Sequence, residues 1–328
     1  MRVVSSPENR TRLCFGERGV PSLFVLGCMK CATTTLHKSI VDSCGTQVEE
    51  GRALSDEAWT RAKEKHFFDR NDSYARGLGR YASHFSTCAS GYVGLDSTQA
   101  YGKTAAVPGR LMSTYGTEAA ARASFAIVVR EPVARYHSNY WHRARGEKAF
   151  ARDYPDFDAW AYAQLAEAEA CGTDAPLFGR CGVHRSGVSD GLWAGLYAEH
   201  VEAWLATGFR PDRFVVLAFS RVVADPTAAA RAILEHTGLD TLKCGPGSKM
   251  KQKKAFDADK KYNQKTPRNA TIASDLRTAL DVFYEPHSDA LVRLIARRGL
   301  RVEALRAVDY APCAAPGPRD AARCPWPY

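Results

Sequence analysis

Three short clusters carry the residue types that can do chemistry. The first is LGCMKCATTTLHKSI, residues 26–40. It joins Cys28-x-x-Cys31 to Lys30, the small residues Cys31 and Ala32, and the hydroxyls of Thr33, Thr34 and Thr35. One chemistry open to it is sulfur redox, because a CxxC between a strand and a helix is where a reactive dithiol sits. A zinc site would need two more ligands, and the nine histidines form no close pair with another CxxC. The other chemistry is anion binding. A helix N-terminus offers free N–H groups and the positive end of its dipole. Small residues let an anion approach, Lys30 adds a point charge, and the threonines add donors. The lysine precedes the small residues, whereas a Walker A loop places it after the last glycine, so an ATPase or GTPase is disfavoured. A third reading is two small buried cysteines lining a tight turn.

The second cluster is KEKHFFDR, residues 63–70, which gathers Lys63, Glu64, His66 and Asp69 around two phenylalanines. As a strand it would put Glu64, His66 and Phe68 on one side. A carboxylate there can take a proton from a hydroxyl; taken alone, solvated charges on a half-buried strand explain it equally. The third cluster is FAIVVREPVARYHSNYWH, residues 125–142. A strand ends in Arg130, and a helix opened by Glu-Pro carries Ser138. An arginine at the carboxyl end of a strand could face a phosphate held in the crevice where such sheets bind ligands; taken alone, a surface arginine at a strand end and a helical serine explain either residue.

The elements that must position these clusters follow from periodicity. Residues 22–27 (SLFVLG) predict a buried strand, and TTTLHKSIVDS a helix with Thr33 as cap. Further strands are predicted at 65–68, 91–95, 125–129 and 214–219. Helices are predicted at 133–145, 226–236, 272–284 and 287–298, with Trp193, Leu196, Tyr197, Val201, Trp204 and Leu205 on one face of another. Strands alternating with helices predict an α/β architecture: a three-layer, P-loop-like fold with a central parallel sheet flanked by helices. Residues 1–20 read as a leader, 21–310 as one domain and 311–328 as a loop-like tail. The lysine-rich stretch 243–268 reads as a basic loop.

The 328 residues carry a formal net charge of +9, which favours anionic partners. Nucleic acid is not indicated, since Phe256 and Tyr262 alone interleave the basic run. No run of about 18 apolar residues is present to span a membrane. Ten cysteines, and N-x-S/T at Asn9, Asn71 and Asn269, point to a secretory lumen. The N-terminus lacks the apolar centre of a signal peptide, so the alternatives are a cytoplasmic protein or an anchor upstream. Cys171 with Cys181, and Cys313 with Cys324, are expected pairs.

Together the clusters resemble the sulfotransferases that use 3′-phosphoadenosine 5′-phosphosulfate, most of all the heparan sulfate (glucosaminyl) branch. Residues Lys30–Thr35 match that family's loop for the 5′-phosphosulfate. Arg130 and Ser138 match its 3′-phosphate pair at the family's spacing. Lys63–Asp69 match its Lys-Glu-x-His-Phe-Phe-Asp segment, and LDSTQAY, residues 95–101, is similar to its Glu-Lys-Thr-Pro-Ala-Tyr. The resemblance runs from about residue 21 to 299. It implies sulfuryl transfer to a hydroxyl or amine of an anionic carbohydrate, in the Golgi lumen and without a metal. Glu64 would be the base, with Lys30 and His66 assisting. Lys30, Cys31, Ala32, Thr33, Thr34, Thr35, Arg130 and Ser138 would hold the donor, with Lys261 and Lys265 in its last loop. Lys63, Asp69 and Ser97 would face the acceptor. The chain departs from the pattern at Cys31-Ala32, at Ser97, where a lysine is common, and at Gln99, where the family has proline. The rival readings are a non-catalytic binder of acidic glycans and a CxxC redox protein.

Overall fold

The computed structural model describes residues 2–6, 11–54, 63–171, 191–239, 271–303 and 305. Eight strands form one sheet: β1 (Val3–Ser5), β2 (Leu13–Phe15), β3 (Arg18–Gly27), β4 (Val48–Glu49), β5 (Val93–Asp96), β6 (Ser124–Val129), β7 (Phe214–Ala218) and β8 (Arg301–Glu303). The strands from β3 on are all parallel, in the order β4-β5-β3-β6-β7-β8. Strands β1 and β2 add an antiparallel extension at the start of β3. The central strands are continuous apolar runs because both faces are covered. Phe24 and Leu26, Phe125 and Ile127, and Phe214 and Val216 face one apolar cluster with helices Ala106–Ala120 and Tyr197–Ala206. Their alternates Leu23 and Val25, Ala126 and Val128, and Val215 and Leu217 face a second cluster with helices Thr33–Cys44 and Pro226–His236. That is the expected α/β architecture of three layers. Phe125 anchors it, stacked 4.8 Å from Phe214 and 5.6 Å from Phe24. Truncating such a ring to alanine costs about 3–5 kcal/mol.

Several local expectations change. Residues 3–5 and 13–15 pair into the sheet rather than forming a leader, and Leu13 is fully buried. Residues 65–68 are not a strand; the segment is irregular and ends in a turn. Thr33 is the first helical residue rather than the cap, which is Ala32 at φ 58° with no side-chain cap. The helices expected at 272–284 and 287–298 are one helix, Ser274–Arg298, running through Pro286. Proline cannot bond the carbonyl four residues back; that residue is Val282, 66% exposed, so water can take the orphaned group.

The expectations for Asn9, Asn269, Lys261, Lys265, the basic loop 243–268, the Cys171–Cys181 and Cys313–Cys324 pairs and the tail 311–328 fall outside the described residues. Among the described residues, no helix is long and apolar enough to cross a membrane. Asn71 is exposed, its side-chain carbonyl accepting from Arg110.

Candidate functional site

Parallel neighbours β5, β3 and β6 end along one edge of the sheet, and each ending feeds one piece of a crevice. Strand β3 leads into the loop 28–32 and then the helix Thr33–Cys44. Gly27, at φ 135°, is required there: a Cβ would lie 2.7 Å from the Gln99 carbonyl oxygen, so the residues after β5 pack directly under the loop. Within the loop, Lys30 and Ala32 both have positive φ, 68° and 58°. A disulfide joins Cys28 to Cys31. The Cys31 side chain is fully buried, so what it offers the crevice is backbone.

Strand β6 leads into Arg130, whose guanidinium donates to the Lys30 carbonyl at 2.8 Å and lies 4.5 Å over the Phe219 ring. Burial lowers it to about 10, still cationic at neutral pH. The Tyr197 hydroxyl donates to the Arg130 carbonyl at 2.8 Å and accepts from its N–H at 3.4 Å. Its oxygen is 3.5 Å from Cys28 Sγ. Glu131 caps the next helix, its carboxylate accepting from the N–H groups of Val133 and Ala134. Ser138 is half-buried on that helix.

The segment 63–69 faces the loop. Lys63 Nζ donates to Thr33 Oγ1 (3.3 Å), Thr34 Oγ1 (3.1 Å) and Glu64 Oε1 (2.8 Å). It thus touches both clusters rather than standing apart on the acceptor side. His66 lies between two carboxylates, Nε2 3.4 Å from Glu64 and Nδ1 2.8 Å from Asp69. Burial alone would raise the Glu64 carboxyl, but the His66 hydrogen bond and the Lys63 charge outweigh it and bring it to about 2. Burial would lower His66, but Asp69 and Glu64 raise it to about 9. Glu64 and His66 therefore face each other as an ion pair at neutral pH. Asp69 Oδ1 is buried without a hydrogen-bond partner.

An irregular backbone with His66 at φ 50° needs support, and the residues after β5 supply it. The Asp96 carboxylate is fully buried and accepts from the hydroxyls of Tyr81 (2.7 Å), Thr98 (2.6 Å) and Tyr101 (3.0 Å). With those protons committed, the hydroxyl lone pairs point at the segment. Thr98 Oγ1 accepts from the N–H of Lys65 (2.9 Å) and His66 (3.2 Å), and the Tyr101 oxygen from those of Phe67 (3.0 Å) and Phe68 (3.3 Å). Four consecutive amides are satisfied by two hydroxyls on one carboxylate.

The expected acceptor contact at Ser97 changes. Ser97 is fully buried, with its hydroxyl 2.8 Å from His37 Nδ1, so it sits beneath the crevice. His37 continues to Glu50 at 2.6 Å. Asp96, Thr98, Tyr101 and Tyr197 went unassigned from the sequence; LDSTQAY flagged the first three as a motif, and Tyr197 showed only as part of an apolar face. Lys103 also went unassigned. It is half-buried in the turn after Tyr101, and burial and Arg135 lower it to about 7 against the opposing pull of Asp69. Among the described residues, no group of three or more His, Cys, Asp or Glu is arranged to hold a metal ion.

No family model matches the chain. It is 25% identical over 248 residues to mouse heparan sulfate glucosamine 3-O-sulfotransferase 3B1, covering 71% of this chain and 56% of the relative. The figures for mouse heparan sulfate glucosamine 3-O-sulfotransferase 3A1 are 25%, 248 residues, 71% and 55%. The chain thus spans about half the length of the curated relatives it matches. A sulfotransferase from Alicyclobacillus acidocaldarius superposes with a TM-score of 0.52 at 19% identity, over 86% of this chain and 96% of that one. The resemblance read from the motifs is borne out: the chain is similar to heparan sulfate sulfotransferases in sequence and to a sulfotransferase in fold.

Proposed function

We propose that this chain is a sulfotransferase that moves a sulfuryl group from 3′-phosphoadenosine 5′-phosphosulfate to a hydroxyl or amine of an anionic carbohydrate. The observation that carries the reading is the reach of Lys63, whose ammonium ties the loop hydroxyls Thr33 and Thr34 to the Glu64 carboxylate. A binding module has little use for a charge held between an anion cradle and a base.

In the reaction the acceptor oxygen attacks sulfur, the bond from sulfur to the 5′-phosphate oxygen breaks, and the electron pair leaves with the phosphate. Negative charge grows beside the helix N-terminus, the backbone of residues 30–32 and the threonine hydroxyls, which stabilise it. Arg130, with Ser138, binds the 3′-phosphate. Charge arriving at the loop also competes with Glu64 for Lys63. As Lys63 turns to the leaving oxygens, Glu64 loses one of the partners that hold it near 2 and becomes a better base for the acceptor proton. His66, itself held by Asp69, keeps Glu64 in place. The +9 charge favours both the nucleotide and an acidic polymer. Disulfides at Cys14–Cys88 and Cys28–Cys31, with the exposed sequon at Asn71, support a secretory, Golgi-lumen location over a cytoplasmic one.

The test is calorimetric titration with 3′,5′-bisphosphoadenosine against ADP, followed by a radiolabelled sulfate-transfer screen over acidic polysaccharides. Micromolar binding of the bisphosphate with little of ADP, and transfer to at least one polysaccharide, is expected. Equal affinity for both nucleotides removes the 3′-phosphate reading of Arg130.

A further inference from the structure

The Cys28–Cys31 bridge is not used by the sulfuryl-transfer chemistry, yet it lies inside the loop that performs it. It encloses Lys30, at φ 68°, and abuts Ala32, at φ 58°. Residues other than glycine resist that region, so something must hold them there. The Cys31 N–H donates to the Cys28 carbonyl at 3.2 Å, and the Cys28 N–H to the Val128 carbonyl of β6 at 3.1 Å. Cys28 Sγ touches the Tyr197 hydroxyl, which grips the Arg130 backbone, while the Arg130 side chain bonds the Lys30 carbonyl. The bridge is thus wired to both halves of the donor cradle. Its two residues differ in burial: Cys31 is fully buried and Cys28 half-buried.

We infer that Cys28–Cys31 is a thiol–disulfide modification site that sets the affinity of the donor cradle, tight when bridged and loosened by a dithiol reductant. The inference rests on the donor-binding reading above. A thiolate of the reductant attacks the sulfur of Cys28, the less buried of the two residues, and the Cys31 thiolate leaves; a helix N-terminus two residues on stabilises that leaving group. The second thiol of the reductant then closes on the mixed disulfide and expels Cys28 as a thiol. Two electrons pass to the protein sulfurs, and the reductant departs as a cyclic disulfide. Freed of the bridge, Lys30 and Ala32 relax toward negative φ, the Lys30 carbonyl leaves Arg130, and the cradle must be reassembled by each nucleotide that binds.

The full chain is titrated calorimetrically with 3′,5′-bisphosphoadenosine, oxidised and after dithiothreitol. Alkylated cysteines are mapped by mass spectrometry, and folding is followed by circular dichroism. The oxidised protein is expected to bind about tenfold more tightly than the reduced one. Cys28→Ser/Cys31→Ser should show the weaker affinity in both conditions, which separates this bridge from Cys14–Cys88, at the other end of β3. Should the double variant not fold, Cys28→Ser alone opens the bridge while keeping the buried Cys31. Equal affinity before and after mapped reduction at Cys28 and Cys31 overturns the inference and leaves the donor reading intact. So does a bridge that resists the reductant until the protein unfolds. If folded protein binds the bisphosphate in neither state, the donor reading falls and this inference with it.

Discussion

The loop 28–32 and the segment 63–69 both leave regular structure at the crevice, and both hold residues other than glycine at positive φ. They are held by different means. The loop is tied covalently by Cys28–Cys31 and by backbone bonds to neighbouring elements. The segment is suspended by its amides from Thr98 and Tyr101, which lean on the buried Asp96. The difference fits the task proposed for each. A cradle binds an anion mainly through N–H groups, so Cys31 and Ala32 serve as long as the turn is kept. In the proposed reaction the segment works through its side chains, so their identity counts and their backbone must be aimed.

Breaking the segment should hurt turnover, and breaking the cradle should hurt binding. The largest effect is expected from Glu64→Gln, which removes the proposed base while keeping its shape. Turnover should fall about 10²–10⁴-fold with bisphosphate affinity kept; a variant with full turnover would remove Glu64 from the mechanism. Arg130→Ala should weaken bisphosphate binding about 10- to 100-fold, the loss of charge-assisted hydrogen bonds. Unchanged affinity by titration would leave Arg130 a purely structural tie to Lys30. Thr98→Val strands the buried amides of Lys65 and His66. It should cost about 1–3 kcal/mol in denaturant unfolding and lower turnover more than bisphosphate affinity. Equal losses of both would mean that the clamp serves the whole crevice.

The smallest effect sharpens the electrostatic side of the comparison. His66, raised to about 9, contributes stability that is complete below its ordinary pKa of about 6.5 and is lost as pH rises through about 9. Glu64, lowered to about 2, contributes stability that is present above its ordinary value of about 4.3 and is lost only as pH falls toward 2. The melting temperature should therefore drop at the alkaline end in wild type, and less so in His66→Gln. A matching alkaline loss in both proteins would assign it elsewhere.

The sheet was legible because its signals are local and strong. Strands β3, β6 and β7 are apolar runs, and their alternating residues partition between two covers as a doubly buried sheet requires. The helix Pro226–His236 carries its own start signal in Asp225, which caps it. Where local signals are weak, tertiary partners decide the structure. The short strands β1 and β2 are three residues each and depend on pairing to exist. Lys65–Phe68 has the alternation of a strand, but its amides are claimed by Thr98 and Tyr101 instead of a neighbouring strand. Ser97 matched a family position by alignment of motifs, yet its burial against His37 turns it from the crevice.

What the sequence determined by itself was the inventory: a strand–loop–helix unit with a lysine and three threonines, a strand ending in arginine, a cluster of Lys, Glu, His and Asp, and a net basic charge. Those follow from residue type and short-range spacing, which fix propensity, charge and hydrogen-bonding capacity. The tertiary structure decided which of them meet. Lys63 reaches Thr33 and Thr34 across 29–30 residues, Arg130 reaches Lys30 across 100, and Cys28 reaches Tyr197 across 169. Contacts at such separations are set by which strands lie side by side and by which buried hydroxyls find a carboxylate. Periodicity carries no record of either, because both depend on the packing of the whole sheet.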